Sequence, residues 1–196
     1  MRYTSNHKAE TRQRIIGEAA RRFRKDGIEG TGLVPLMKAL GLTHGGFYAH
    51  FASKEALVQA SLDAAAEQTL QRWEEPCDDE ARRAFVAGYL SAEHRDNAGE
   101  GCPLTTLAAE LGLRGHASGT TDAIVARLAA RLENCTTVSA PADQGLVALA
   151  AMVGALTLAR GVADKATSER ILAAVTAAIQ PVPKQAAAND PVARKA

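Results

Sequence analysis

Apolar residues recur at helical spacing through most of this chain. In "TRQRIIGEAARRFRK" (Thr11 to Lys25), Ile15, Ile16, Ala19, Ala20 and Phe23 share one face, and Arg12, Arg14, Arg21, Arg22 and Arg24 occupy much of the rest. That pattern predicts an amphipathic helix with a basic face, stopped at Gly27. Leu33 to Leu40 predicts a short second helix, with Leu36, Met37 and Leu40 inward and Pro35 in the first turn, where a missing N–H costs little. Gly41 then supplies a left-handed end, and Thr43 caps a third helix over about His44 to Phe51. Ser53 caps a fourth helix that runs to about Trp73. Pro76 and the acidic "CDDE" break the pattern, and further helices are expected near 78–95, 103–113, 119–135, 142–162 and 167–180. No run of alternating β-branched residues predicts a strand, so the expected fold is all-α. The tail from Pro181, "PVPKQAAANDPVARKA", has three prolines and no apolar period, and is expected to be disordered.

Two short helices joined by the three residues Gly41-Leu42-Thr43 form a helix-turn-helix pattern. The third helix, at about two turns, is too short to stand alone. Gly45 and Gly46 in its first turn each cost roughly 1 kcal/mol of helix propensity. A helix laid against another molecule gains from that loss of bulk, because its backbone can approach a groove wall. In a helix-turn-helix, the first residues of the second helix meet base edges in the major groove; here these are Thr43, His44, Gly45 and Gly46. Tyr48 and His50 offer polar tips suited to phosphate oxygens. Lys54 adds a charge at a helix start, which favours anions. Phe47 and Phe51, four apart, belong to the small domain's core. Thr31, just ahead of the second helix, joins the candidate DNA-contacting set.

Charge sharpens this picture. Net charge is only +1, but residues 1–55 carry ten Lys/Arg against five Asp/Glu, and the remainder thirteen against seventeen. A basic end on a mildly acidic body fits a polyanion bound by one domain. Three widely spaced cysteines argue against a disulfide framework and fit a reducing cytoplasm. The polar, basic N-terminus has no export signal. The most apolar stretch, "GLVALAAMVGALTLARGV" (Gly145 to Val162), is interrupted at Arg160 and reads as a buried helix, with no membrane partner. The glycines of "GIEGTG" follow no strand, so a dinucleotide fingerprint is not supported. His44 and His50, six apart, lie on different helix faces with no third ligand nearby, so no metal is expected. No cofactor is implied.

The stretch "TRQRIIGEAARRFRKDGIEGTGLVPLMKALGLTHGGFYAHFASKEAL" closely resembles the DNA-binding domain of the TetR/AcrR family of bacterial transcriptional regulators. The likeness covers Lys8 to about Leu62, and the family's pattern runs without a gap from Gly41 to Leu57. The resemblance implies a homodimer whose recognition helices enter successive major grooves of a partly palindromic double-stranded operator. It places Thr43, Tyr48, His50 and Lys54 at phosphate-contacting positions, and His44 and Gly45 at base-facing ones. "LVPLMKALG" departs from the commoner second-helix pattern, so Pro35 and Lys38 are not assigned contacts. The implied organisation is a helix-turn-helix domain over 1–52, a larger effector-binding and dimerisation domain over 53–180, and the tail over 181–196. The expected function is a ligand-responsive regulator, a repressor by the family's usual mode, and not an enzyme.

In the second half, Gly145 to Val162 is apolar nearly all round, with small residues at Ala148, Ala151, Gly154 and Ala155. Such a helix must be covered on several sides. With Arg170 to Ile179 it would form the four-helix dimer interface seen across the family. An intramolecular core is the competing explanation. The effector is unknown, and its cavity walls are expected from Trp73, Phe85, Tyr89, Cys102, Leu104, Leu107, Met152 and Leu156, apolar with a few polar handles. "GEGCPLTTLAAELG" (Gly99 to Gly112) resembles a "GCxxxxLAxEL" signature of one subset of these regulators. Cys102 then has two readings: a thiolate sensor activated at a helix start, or a small apolar residue in the cavity wall. An enzyme using Cys102 as nucleophile and His94 as base is a third alternative, without any residue to orient that histidine.

Overall fold

The computed structural model describes residues 2–72, 78–134 and 143–179, and every regular element among them is helical. The α-helices are α1 (Arg2–Gly30), α2 (Leu33–Ala39), α3 (Lys54–Arg72), α4 (Asp79–Tyr89), α5 (Ala92–Asp96), α6 (Leu107–Leu113), α7 (Gly119–Asn134), α8 (Gln144–Gly161) and α9 (Lys165–Ile179). Short 3-10 turns occupy His44–Ala49, Ala98–Glu100 and Pro103–Thr105. Trp73 and the tail at 181–196 lie outside the described residues.

The apolar face of α1 is buried as its spacing requires: Ile15, Ile16, Ala19, Ala20 and Phe23 all belong to the core, with Leu36 and Met37 of α2. α3 packs along α1 and continues the core through Leu57, Val58 and Leu62 towards Ile124 and Leu128 of α7. α7, α8 and α9 form the other packed layer, where α8 crosses α7 closely. A Cβ on Gly145 would stand 2.1 Å from the Ala129 carbonyl oxygen, so only glycine admits that crossing.

Four expectations are corrected. Gly27 does not stop the first helix; it breaks it at φ 76°, and helical backbone resumes to Gly30. The third helix is not α-helical but a 3-10 turn over His44–Ala49, consistent with the weak propensity of its two glycines. The helix expected over 78–95 is divided: α4 ends at Tyr89, and Ser91 caps α5 by accepting from the His94 N–H at 3.0 Å. The helix expected over 103–113 begins as a separate 3-10 turn before α6.

α8 is long and apolar enough to cross a membrane, as a core helix also can be. It is not covered all round. Ala148, Met152, Ala155 and Leu156 are buried, whereas Val147 and Leu158 are each 60% exposed. Of the four small residues singled out in its sequence, Ala148 and Ala155 therefore face this chain's own core, and Ala151 and Gly154 lie towards the open side.

Candidate nucleic-acid interface

The turn at 43–50 is built as an anchored display. Phe47 is fully buried and stacks on Phe51 with ring centroids 5.6 Å apart. Burying a ring of this size contributes about 1.5–3 kcal/mol, enough to hold a turn that propensity alone would not. Thr43 is extended and caps the turn, its hydroxyl accepting from the Gly46 N–H at 3.2 Å. Thr43, His44, Gly45 and Tyr48 are exposed; Gly46 and His50 are half-buried. Tyr48 stands against the edges of both His44 and Phe47. A Cβ on Gly45 would meet nothing within 4 Å, and its φ is not in the left-handed region. Neither backbone conformation nor packing within the chain requires glycine there.

Two candidates are placed differently from expectation. Thr31 is buried, and its hydroxyl donates to the Gly27 carbonyl at 2.8 Å, in the last turn of α1; it is not on the outer surface. Lys54 donates to the Ile28 carbonyl oxygen at 2.6 Å, so its ammonium ties the start of α3 to the end of α1. Its first role is internal. The basic face of α1 is also largely engaged. Arg12 lies over Phe51 at 4.8 Å, Arg14 donates to the Leu40 carbonyl at 3.2 Å, and Arg21 and Arg22 both pair with Glu18. Sequence spacing displayed these arginines as free charge; the partners of Arg12 and Arg14 are distant in sequence, whereas Arg21 and Arg22 share Glu18 one turn back on the same helix.

The junction between this end and the rest of the chain is specific. Glu110 of α6 accepts from the Ile28 N–H at 2.6 Å, immediately after the break at Gly27. A side chain on Gly27 would collide with that carboxylate. Thr106 donates to the Arg24 carbonyl at 3.0 Å, and Arg114 pairs with Glu29. Glu110 is the glutamate of the "GCxxxxLAxEL" signature, but the sequence assigned it no role.

A cavity of about 400 Å³ lies among α3, α4, α5 and the 98–102 turn, lined by Thr69, Arg72, Tyr89, His94, Glu100 and Cys102 among others. Of the eight expected wall residues, it includes Tyr89 and Cys102. Phe85, Leu104, Leu107, Met152 and Leu156 are buried in the common core instead, because apolar residues at helical spacing fill space between helices before they line openings. Arg72 and His94 were missed; both are polar residues that the apolar-wall expectation passed over. Burial pushes the Cys102 thiol up from its usual pKa, outweighing the lowering from Tyr89, Arg160 and Arg24. It stands before a three-residue 3-10 turn, too short to provide the expected helix-start activation. His94 is no base for it. Its Nδ1 donates to the Tyr89 carbonyl at 2.7 Å, and its Nε2 accepts from the Cys102 backbone N–H at 3.0 Å. Arg160 fastens the same corner, donating to the carbonyls of His94 and Arg95 and to the Thr105 hydroxyl. No cluster of three metal-ligating side chains occurs among the described residues.

Comparison with known proteins agrees with the geometry of the N-terminal end. Residues 15–61 match the family model for bacterial regulatory proteins of the tetR family. The regulator TtgR of Pseudomonas putida is 42% identical over 67 residues, which span 34% of this chain and 32% of that relative. The chain thus aligns with about a third of the length of such curated relatives. A TetR regulator from Chloroflexus aurantiacus is 29% identical over 89% of this chain and 96% of its own, with a TM-score of 0.64. AibR, solved with isovaleryl coenzyme A and operator DNA, shares the fold at 21% identity, over 87% of this chain and 98% of its own, with a TM-score of 0.58. A helix-turn-helix whose turn at 43–50 is displayed outward thus matches the tetR-family model over residues 15–61, and the described helices share the fold of a solved TetR regulator over 89% of this chain.

Proposed function

We propose that this chain is a ligand-responsive transcriptional repressor acting as a homodimer in the cytoplasm. The observation that carries the reading is the exposed set Thr43, His44, Gly45 and Tyr48, held out on a turn whose other side is buried through Phe47 and Phe51. His44 and the bare backbone at Gly45 would face bases, and Thr43, Tyr48 and His50 would contact phosphates, which set register. Lys54 would contribute field more than contact.

The dimer reading rests on the open side of α8, where Val147, Ala151, Gly154 and Leu158 form one stripe at helical spacing. A second copy would cover it with α8 and α9. Two turns related by such an interface would meet adjacent major grooves, so that a palindromic operator is expected. Effector binding in the 400 Å³ cavity would favour a spacing of the two turns that no longer fits DNA, and its effect equals the difference in its affinity for the two states. The pairing of a small molecule with operator DNA in AibR supports this division of labour.

Fluorescence anisotropy with DNA from upstream of its own gene tests the reading. Binding near 10⁻⁸ M, roughly, at physiological salt is expected, weakening steeply as salt rises. Absence of binding to every upstream fragment at low salt would overturn it.

A further inference from the structure

Behind the cavity wall, next to the lining residue Glu100, lies a buried cation that its protein partners satisfy poorly. Arg24, on α1, is only 3% exposed. Its Nη1 lies 3.3 Å from Gln68 Oε1 and 3.4 Å from the Gly101 carbonyl oxygen, both at the long limit of hydrogen bonding. The Glu100 carboxylate stands 3.8 Å from Nη2, beyond hydrogen-bond reach, and Nε is buried with no partner. A buried guanidinium is ordinarily held by short, aligned acceptors, because an uncompensated charge away from water is costly. Burial here lowers the Arg24 pKa and Glu100 works against that shift.

A second guanidinium stands beside the same residue. Arg72, on the cavity wall, donates from Nη1 to the Glu100 carbonyl oxygen at 3.3 Å. Two arginines therefore approach one residue, Arg24 from the side of its carboxylate and Arg72 at its main-chain carbonyl, and the Glu100 side chain is 48% exposed and held by no short contact to Arg24. The wall's own carboxylates, Glu93 and Glu100, are both exposed. His94 uses both ring nitrogens on backbone groups, Tyr89 and Cys102 have raised pKa values, and Glu93 is exposed at the mouth.

We infer that the ligand of this cavity is a small carboxylate-bearing molecule, whose carboxylate takes the place of Glu100 between Arg24 and Arg72. The inference rests on the effector reading proposed above and names the chemical class. Planar guanidinium donors match a carboxylate in forked geometry, which the present 3.8 Å separation does not achieve. The route to DNA is short, because Arg24 belongs to the helix that supports the displayed turn. The 98–100 turn also sits tightly on α1: a Cβ on Gly99 would be 3.0 Å from Arg21 Cγ and 3.3 Å from its carbonyl oxygen. A ligand that displaces Glu100 therefore acts on a turn in direct contact with α1.

Isothermal titration of the full chain with straight-chain monocarboxylates from acetate to octanoate, benzoate and phenylacetate, each beside its neutral amide, tests this. At least one acid is expected to bind about tenfold or more tightly than its amide, since a charge-assisted pair replaces a neutral one. Arg72→Gln should weaken that acid to the level of its amide, and Glu100→Gln should tighten it by removing the internal competitor. Thermal melts of Glu100→Gln give a second readout: the acid should raise its midpoint more than that of the wild type. Equal binding of acids and amides, no binding of any acid to wild type or Glu100→Gln, or weaker acid binding by Glu100→Gln would each overturn the inference. Operator binding on the same samples separates the two readings. If DNA is bound and no acid acts, the carboxylate assignment fails and the regulator stands; if no DNA is bound, the regulator fails while the titration still decides the cavity.

Discussion

Phe47 and Tyr48 are adjacent in sequence and opposite in fate, one fully buried and one 60% exposed. That split was legible, because Phe47 and Phe51 share a helical spacing that Tyr48 does not. Thr31 and Lys54 were not legible in the same way. Both bond to carbonyls in the last turn of α1, which have no partner within the helix, and no local pattern shows which side chains will reach them. His94 gives the residue-scale prediction. Burial lowers its pKa from the ordinary value, ahead of the opposing hydrogen bond to Tyr89, so folding favours the neutral ring. Its contribution is then fully present above pH about 6.5, the unfolded value, and is lost as pH falls towards the folded one. Thermal melts between pH about 7.5 and 5.5 should show stability falling through that window. His94→Gln, which keeps a donor and an acceptor without titrating, should flatten the slope. An unchanged slope would remove His94 as the cause.

Among the elements, the long helices were legible from apolar spacing, and their ends fall close to expectation: α7 begins at Gly119 as expected, and α8 spans Gln144–Gly161. The segment between α4 and α6 was not. Its path is set by contacts from distant residues, Arg160 on the carbonyls of His94 and Arg95 and His94 on the Cys102 amide, which no local pattern reveals. The joint between α6 and α1 is equally non-local. Removing the Glu110 acceptor leaves the Ile28 N–H unpaired, so Glu110→Ala should cost about 1–3 kcal/mol in urea unfolding. Glu110→Gln retains an acceptor oxygen and should cost less. Glu110→Ala should also blunt ligand-induced release of DNA, since α6 is fastened to α1 through that contact. Equal stability of the alanine and glutamine variants would show that the contact carries nothing.

For the molecule as a whole, the all-helical fold and the N-terminal helix-turn-helix were legible, because apolar spacing runs at helical period and one end holds the aromatic-glycine turn. Which side of α8 stays open was not, since the helix is apolar on both sides in sequence and only packing against α7 and α9 distinguishes them. The open stripe predicts that Val147→Arg with Leu158→Arg produces a monomer of the 20.6 kDa chain mass in light scattering, where the wild type gives twice that. The monomer should bind DNA far more weakly, having one turn to offer instead of two. A wild type that is itself monomeric would remove the symmetric operator from the account.

The central claim is that Gly45 is bare so that backbone can approach duplex DNA. Because a side chain there meets nothing within the chain, Gly45→Leu separates folding from binding. The decisive measurement is operator affinity of this variant beside the wild type, at matched salt and with unfolding curves for both. The account predicts stability unchanged to within about 0.5 kcal/mol and affinity reduced roughly 100-fold, about 2.7 kcal/mol. Wild-type affinity in a stably folded Gly45→Leu variant would contradict it.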